Sequence, residues 1–512
     1  MALVLDCIWS RLSIKQIKYI INKLGIILRQ SLGAKVEFIR KKRRKKMTYS
    51  IERFVGTVKR FLREDQIIMD RDRLSHYSYD ATEIHYTPQV VLLPESTEEV
   101  SRVMRSAYKM DVPITPQGGR TGLSGGALPV AGGVVLSLLK MNRILEIDNK
   151  NMQLVVEPGV IACDLQEALK TYDLFFPPDP SSTVESTIGG NVAENAGYTR
   201  AVKYGVTRDY VIGLEAVLPD GEIINVGGRT VKNVTGYDLV ALLTGSEGTL
   251  AVITKIICKV LPMPRSRRTC IIYMDDLVAA GDLVVSIFEK GIIPCAIEFM
   301  DNYSINCVAD YLASGEILRR DAEVLVLVEV DGYHEEAVNT ELNEVIQLAQ
   351  NSHHTIEARS ACDEIEAERF WRIRRDTLPA LKAKGKDHLE ADVVVPRYQL
   401  PFLIRAVREI EKGRTIKVAT FGHAGDGNLH VTIQYRKRSF KDTEEAYNVL
   451  EAIYRATVAM SGKLTGEHGV GITVKNYINI QMTEQEIKLM KRIKYAFDPK
   501  GILNPKKIFP DE

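Results

Sequence analysis

Residues 116–129 read PQGGRTGLSGGALP, with five glycines in nine positions directly after a strand-like run. Glycine removes side chains where backbone N–H groups must approach something closely, and consecutive free amides in such a loop form a concave nest for phosphate. The stretch is no Rossmann fingerprint, since no GxGxxG opens a long helix, and no GK[ST] follows to make a P-loop. From these residues alone two readings stay open, an anion-binding loop and a glycine-rich surface loop. Three further stretches weight the first: 157-EPGV-160, 187-TIGGNVAENAGYTRAVKYG-205 and 236-GYDLVALLTGSEGTLAVIT-254.

Working outward, 89-QVVLLPESTEEVSRVMRSAYKMDVPITPQGG-119 predicts a strand, a Ser-x-x-Glu capping signal, an amphipathic helix and a second strand. Short strands follow in GGVVLSL, LEIDN and QLVVEPG. The run 211-VIGLEAVLPDGEIINVGG-228 predicts a hairpin turning on Pro-Asp-Gly, and 249-TLAVITKIICKVLPMP-264 a closing strand with a proline-marked boundary. A first domain over 47–265, with its core at 86–265, is therefore expected. Beyond it, strand and helix patterns alternate through 268–435. The tail from Glu444 is helical, interrupted by a glycine loop. These patterns predict a second α+β domain over 266–509.

The 512 residues, 45% hydrophobic and 26% charged, suit a globular enzyme of two or three domains and exclude fibrous and low-complexity classes. No repeat of solenoid period is present, and no apolar run is long enough to span a membrane. Seven cysteines (Cys7, Cys163, Cys258, Cys270, Cys295, Cys307, Cys362) form no CxxC pair, which argues against a disulfide framework or an iron–sulfur cluster and favours the cytoplasm. Residues 1–46 hold 13 Lys/Arg against Asp6 and Glu37, so the net charge of +2 hides an arm of +11 on a body of −9. Ile14, Ile17, Ile21, Leu24 and Leu28 recur at helical spacing ahead of 40-RKKRRKK-46, a pattern suited to an anionic membrane surface. The favoured reading is a dispensable extension. No nucleic-acid partner is expected of the acidic body.

RTGLSGGA, FPPDPSS, STIGGNVAENAG, KYG, GLEAVLPDG, LLTGSEGTLAVITK, GHAGDGNLH, TGEHGVG and FDPKGILNP occur in that order. Together they resemble the flavoprotein family that includes the GlcD-type glycolate oxidases, D-lactate dehydrogenases and D-2-hydroxyglutarate dehydrogenase, over roughly residues 50 to 509. The resemblance implies an α+β architecture: an FAD-binding domain of the vanillyl-alcohol-oxidase (PCMH) type, capped by a C-terminal FAD-linked oxidase substrate domain. It puts Gln117, Gly118, Gly119, Arg120, Thr121, Gly122, Leu123 and Ser124 on the pyrophosphate. It puts Pro178, Asp179, Ser186, Thr187, Gly190, Asn191, Asn195 and Ala196 along the isoalloxazine and phosphates, and Glu247 and Ile253 on the adenosine side. Some relatives tether FAD through a histidine in the first loop. Arg120 and Thr121 stand there instead, so FAD is expected to be non-covalent.

Three of the nine histidines fall between His423 and His468, inside FGHAGDGNLH and TGEHGVG. Residues 416–423 and 429–435 are both strand-like, so a hairpin would bring His423 and His430 alongside each other, where cross-strand side chains lie ~4.5–5.5 Å apart. Both could then reach one divalent metal, zinc or manganese. Glu467 would add an oxygen from a flexible loop and leave positions open for substrate. Ordinary hairpin histidines are the alternative. The family resemblance assigns Glu467 to the metal and His468 to base catalysis. Of the guanidinium groups in 371-WRIRRD-376, Arg374 matches the family's carboxylate-binding arginine, with Lys386 as helper. A solvated helix face is the alternative for both.

These parts imply oxidation of a D-2-hydroxy acid, D-lactate or glycolate, with hydride passing to flavin N5. Without an internal iron–sulfur relay, electrons are expected to leave through an electron-transfer flavoprotein, an iron–sulfur subunit or a quinone. A metallohydrolase, a non-catalytic flavin module and a transferase of the ether-lipid synthase type are the competing classes.

Overall fold

The computed structural model describes residues 51–312, 318–385 and 387–511. The basic arm and Lys386 lie outside the described residues. Residues 51–58 are helical, and the body from Phe61 onward forms a compact unit of its own. Among the described residues no helix is long and apolar enough to cross a membrane.

The body opens with a four-stranded sheet of β1 (Ile67–Ile68), β2 (Val90–Leu92), β3 (Ile114–Gln117) and β4 (Val134–Ser137), in the order β1-β2-β4-β3. The helix Thr97–Met110 links β2 to β3. Ser96 caps it by accepting the Glu99 N–H, and Val100, Val103, Met104 and Ala107 form its buried stripe. It ends where Asp111 turns left-handed at φ 53°, and β3 then runs straight into the glycine loop. A five-stranded antiparallel sheet follows: β5 (Ile144–Asp148), β6 (Gln153–Val156), β8 (Val211–Val217), β9 (Ile223–Gly227) and β10 (Val252–Lys259), ordered β5-β6-β10-β8-β9. The Pro-Asp-Gly hairpin is its β8–β9 pair. Two short strands, β7 (Leu174–Phe175) and β11 (Leu261–Pro262), pair with each other.

After Pro264 the chain builds a seven-stranded antiparallel sheet. Its strands are β12 (Ser266–Met274), β13 (Ala296–Asp301), β14 (Val324–Gly332), β15 (Thr355–Ser360), β16 (Asp387–Val394), β17 (Lys417–His423) and β18 (Asn428–Tyr435), ordered β15-β12-β14-β13-β17-β18-β16. The nearly unbroken apolar run VLVLVEVDG has a physical reason, since β14 is covered on both faces. Val324, Val326, Val328 and Val330 meet Leu283, Val284 and Val345 in one core. Leu325 and Leu327 meet Phe370, Ile373 and Phe421 in the other. The functional residues project from the second face.

The C-terminal tail, which the sequence pattern assigns to the end of the second domain, returns to the first sheet. Leu503 bridges Ile114, and the Ile114 N–H donates to the Ile502 carbonyl at 2.8 Å. Lys507, buried, donates to the carbonyls of Gly125, Gly126 and Leu128 at 2.7, 3.2 and 2.6 Å, so the tail fixes the far end of the glycine loop.

Candidate functional site

The antiparallel register lays the site residues side by side across the sheet. Glu298 on β13 stands opposite His423 on β17, and His430 on β18 stands opposite Asp392 on β16. On the outer edge of β16, Thr465 bridges Asp392 and Lys463 bridges Val394, which docks the TGEHGVG loop beside His430. The hairpin itself pairs Phe421 with His430 and His423 with Asn428. The two histidines are therefore diagonal neighbours on one face rather than a directly opposed pair. Diagonal positions lie ~7–8 Å apart in the main chain, and the imidazoles close that gap, with Nε2 to Nε2 at 3.4 Å.

Glu467 Oε1 lies 3.6 Å from His423 Nε2 and 3.4 Å from His430 Nε2. A point equidistant from these three atoms is about 2.0 Å from each, inside the ~2.0–2.2 Å range of zinc bonds to nitrogen and oxygen. The donor set therefore fits a divalent ion. His423 is oriented for this by donating Nδ1–H to Glu298 Oε1 at 2.6 Å, which turns Nε2 toward the cavity. A second grouping, Asp392, His430, Glu467 and His468, also falls within 4.8 Å. Asp392 is a poor ligand, however, because its oxygens are already taken. Oδ2 accepts the Thr465 hydroxyl at 3.0 Å and the N–H groups of Gly466, Glu467 and His468 at 3.0, 2.8 and 2.8 Å, and Oδ1 accepts Asn428 Nδ2–H at 2.8 Å. Asp392 is the anchor that shapes the loop. Together with Glu247, which accepts the Val470 and Gly471 N–H groups at 2.7 Å each, it pins a loop that the glycine-rich sequence predicts to be flexible.

Electrostatics follow from this packing of acids and imidazoles in a buried space. Burial raises the Glu467 carboxyl, but His423, His430 and His468 outweigh it and bring it to about 2. Asp392 is likewise held below its ordinary value against burial, chiefly by His468 and His430. Burial lowers both His423 and His468, yet Glu298 and Glu467 drive His423 well above 6.5, and Asp392 with Glu467 raises His468. The His468 ring stacks on His430 at 5.4 Å and 12°, with Nε2 3.6 Å from Glu467 Oε1 and Nδ1 3.7 Å from Asp392 Oδ2.

Arg374 comes from the helix Glu364–Arg375, capped at Asp363. Its Nε donates to Glu298 Oε2 at 2.7 Å, and its guanidinium lies 5.1 Å from the Phe421 ring centroid. Among the described residues its terminal nitrogens find no protein acceptor, and Arg374 lines the cavity. This is not a solvated helix face, since the side chain is 11% exposed.

One cavity of about 800 Å³ joins these groups to the glycine loop. Gln117, Gly118, Gly119, Arg120, Thr121, Gly122, Leu123, Asp179, Thr187, Gly190, Asn191, Ala196, Glu247 and Ile253 line it, with His423, His430, Glu467, His468 and Arg374. Ser124, Pro178, Ser186 and Asn195 do not. Asn195 instead closes the helix Ile188–Glu194 at φ 53°, and the Ser124 carbonyl accepts the Ile472 N–H at 2.8 Å beneath the metal-side loop. Among the described residues no protein acceptor takes the N–H groups of residues 118–123. Gln117 Oε1, Arg120 Nε and Nη1, Thr183 Oγ1, Asn191 Nδ2 and Arg200 Nε are buried in the same wall without a partner. Each such atom costs ~1–3 kcal/mol if left unmet, so this wall is built for a polar, anionic ligand the size of a dinucleotide. The first-turn amides of the helix Ile188–Glu194 are by contrast satisfied within the protein, so the loop and not the helix start is the cradle.

Sequence reasoning missed Glu298 and Asp392, and also the cavity wall made by Arg200, Trp371 and buried Glu329, where Trp371 Nε1–H donates to Glu329 at 2.6 Å. The one signal for them is a lone acid inside an apolar strand.

Comparison with known proteins agrees with this architecture. The FAD binding domain model matches residues 88–227, and that of FAD linked oxidases, C-terminal domain, matches residues 263–508. Glycolate oxidase subunit GlcD of Bacillus subtilis (strain 168) is 40% identical over 434 residues, 85% of this chain and 92% of its own. A D-lactate dehydrogenase of Anaerostipes hadrus is 36% identical over 434 residues, covering 82% and 89%. A p-cresol methylhydroxylase structure shares the fold at TM-score 0.74 and 16% identity, over 90% of this chain and 97% of that one. The chain belongs to the FAD-linked oxidase family that includes GlcD-type glycolate oxidase subunits and D-lactate dehydrogenases. It is an FAD-linked oxidoreductase with a PCMH-type FAD-binding domain and a C-terminal FAD-oxidase domain.

Proposed function

We propose that the chain oxidises a small D-2-hydroxy acid, D-lactate or glycolate, to the 2-oxo acid, with FAD bound non-covalently and a zinc or manganese ion held by His423, His430 and Glu467. The observation that carries this reading is the triangle of donor atoms at 3.4–3.6 Å opening into the same cavity as the unpaired loop amides. FAD supplies the hydride acceptor, and the ion supplies Lewis acidity toward the substrate hydroxyl and carboxylate. Arg374 offers its two free terminal nitrogens to the carboxylate. His468 Nε2 accepts the hydroxyl proton, while Asp392 holds the ring from the Nδ1 side and the His468 N–H from below. The buried walls exclude water from the transfer.

Electrons then pass to a separate acceptor: an electron-transfer flavoprotein, an iron–sulfur subunit of a multi-subunit oxidase, or a quinone. The enzyme would work in the cytoplasm. We read 47–265 as the FAD-binding domain and 266–509 as the substrate domain, with the tail from Leu503 closing on the former.

Anaerobic titration of the FAD-loaded protein with D-lactate, glycolate and D-2-hydroxyglutarate, followed by flavin absorbance, tests the reaction. Bleaching by one of the first two is expected. Failure of every hydroxy acid to bleach the flavin would revive the transferase class.

Arg374→Ala should raise KM on the order of 10- to 100-fold, the loss of a charge-assisted pair, with FAD content unchanged. An unaltered KM would assign the carboxylate to another cation, with Lys386 next to test.

Metal binding should also release a proton. In the metal-free chain Glu298 and Glu467 keep His423 charged near neutral pH, so an ion at Nε2 must expel that proton. Affinity should therefore fall about tenfold per pH unit below the raised pKa and level off above it. Calorimetric zinc titrations in two buffers of different ionisation enthalpy report the released proton. Identical heats in both would remove His423 from the ligand set.

A further inference from the structure

We propose that Glu298 is a positioning residue that ties recognition of the substrate carboxylate to occupancy of the metal triad, through one buried carboxylate shared between Arg374 and His423. This rests on the roles given above to those two residues.

The geometry is that of a rigid bridge. Glu298 is 0% exposed in the middle of β13, a strand buried along its whole length. One oxygen takes His423 Nδ1–H at 2.6 Å and the other takes Arg374 Nε–H at 2.7 Å. Each oxygen thus serves one partner. The partners come from elements far apart in sequence, a helix ending at Arg375 and a strand ending at His423.

Arg374 is held from its other side by the Phe421 ring at 5.1 Å, and Phe421 in turn lies 5.5 Å from the His430 ring. The guanidinium therefore cannot swing toward a substrate without pulling on the carboxylate that sets the His423 ring. A glutamine could not replace this bridge. Its side chain offers one acceptor and one donor to two N–H groups, so one partner would face an N–H. Linkage then makes the effect reciprocal: what changes at Arg374 changes metal affinity, and the converse.

A double-mutant cycle on the FAD-loaded full chain, read as Zn²⁺ affinity by competition with a chromophoric chelator, isolates this bridge. Glu298→Gln should weaken zinc by about 10- to 100-fold, as loss of a ligand's hydrogen-bond partner does. Arg374→Met should shift zinc affinity by at least about five-fold with Glu298 present, and by less than about two-fold in the Glu298→Gln background. Equal shifts in both backgrounds, or none in the first, overturn the proposal.

His423→Ala separates the two levels of inference. Unchanged zinc affinity in that variant sinks the metal reading itself. Zinc lost there but indifferent to Arg374→Met leaves the metal in place and removes only the coupling. If Glu298→Gln loses FAD, Glu298→Asp is the second background, since it keeps the charge but is one methylene too short to span both partners. Should that fail too, Arg374→Met alone decides, because zinc affinity unmoved by it overturns the bridge and a five-fold shift supports it.

Discussion

His423→Ala and His430→Ala are each expected to give a folded, yellow protein with little bound divalent metal and flavin reduction slowed on the order of 10³-fold. The flavin should stay because its cradle is assembled elsewhere, from residues 118–123 locked by Lys507 and Asn504 of the tail. The ion should go because only three donor atoms form the triangle, and each histidine supplies one corner. Loss of a ligand's hydrogen-bond partner alone costs about 10- to 100-fold in affinity, so loss of the ligand should exceed that, and modest added metal should rescue neither variant. Elemental analysis, the flavin spectrum and anaerobic stopped-flow reduction together separate these outcomes. A wild type stripped by chelator, metal-free by elemental analysis, yet reducing its flavin at full speed would falsify the assignment. His423 and His430 would then be hydrogen-bond donors to the substrate.

The histidine motifs were legible because their glycines mark close approaches as well as turns. A Cβ at Gly427, where φ is +82°, would sit 2.1 Å from the Val395 carbonyl, and one at Gly466 would sit 2.3 Å from Asn428 Nδ2. Such positions admit no other residue without a shift of main chain or anchor, so chemistry-bearing residues between them are held tightly. The glycine loop was legible for the same reason, with Gly119 against the Glu185 carbonyl at 2.1 Å.

The partners were not legible. Glu298 in AIEFMD and Asp392 in EADVV are lone acids in apolar strands, and Glu329 in VLVEV carries the same signal while belonging to a different wall. Which acid meets which imidazole is decided by the order β13-β17-β18-β16, and strand order in an antiparallel sheet with helical crossovers is not written in any one segment. The diagonal register of the hairpin was hidden likewise. It depends on where pairing begins after the Ala-Gly-Asp-Gly turn, a shift of two residues that leaves the hydrophobic alternation unchanged.

His468→Ala should behave differently from the ligand variants, retaining its ion and its flavin while reduction slows by roughly 10²–10⁴-fold, the usual contribution of a positioned base. Retention follows from the geometry. The triangle of His423, His430 and Glu467 does not include His468, and the loop is held to Asp392 through the backbone N–H of residue 468, which alanine keeps. Metal content of this variant also decides between the two donor groupings, since a site built on Asp392, His430, Glu467 and His468 would lose its ion.

The pH profile gives an independent reading. Against burial, Asp392 and Glu467 hold the His468 pKa above 6.5, and below that pKa the imidazole already carries a proton and cannot accept another. Wild-type kcat/KM should therefore fall as pH drops through it. In His468→Ala that limb should vanish, and the deficit should shrink as pH rises and hydroxide takes over the proton. A variant that keeps its ion and also keeps the wild-type pH limb would show that His468 only packs against His430, and that the proton leaves by another route.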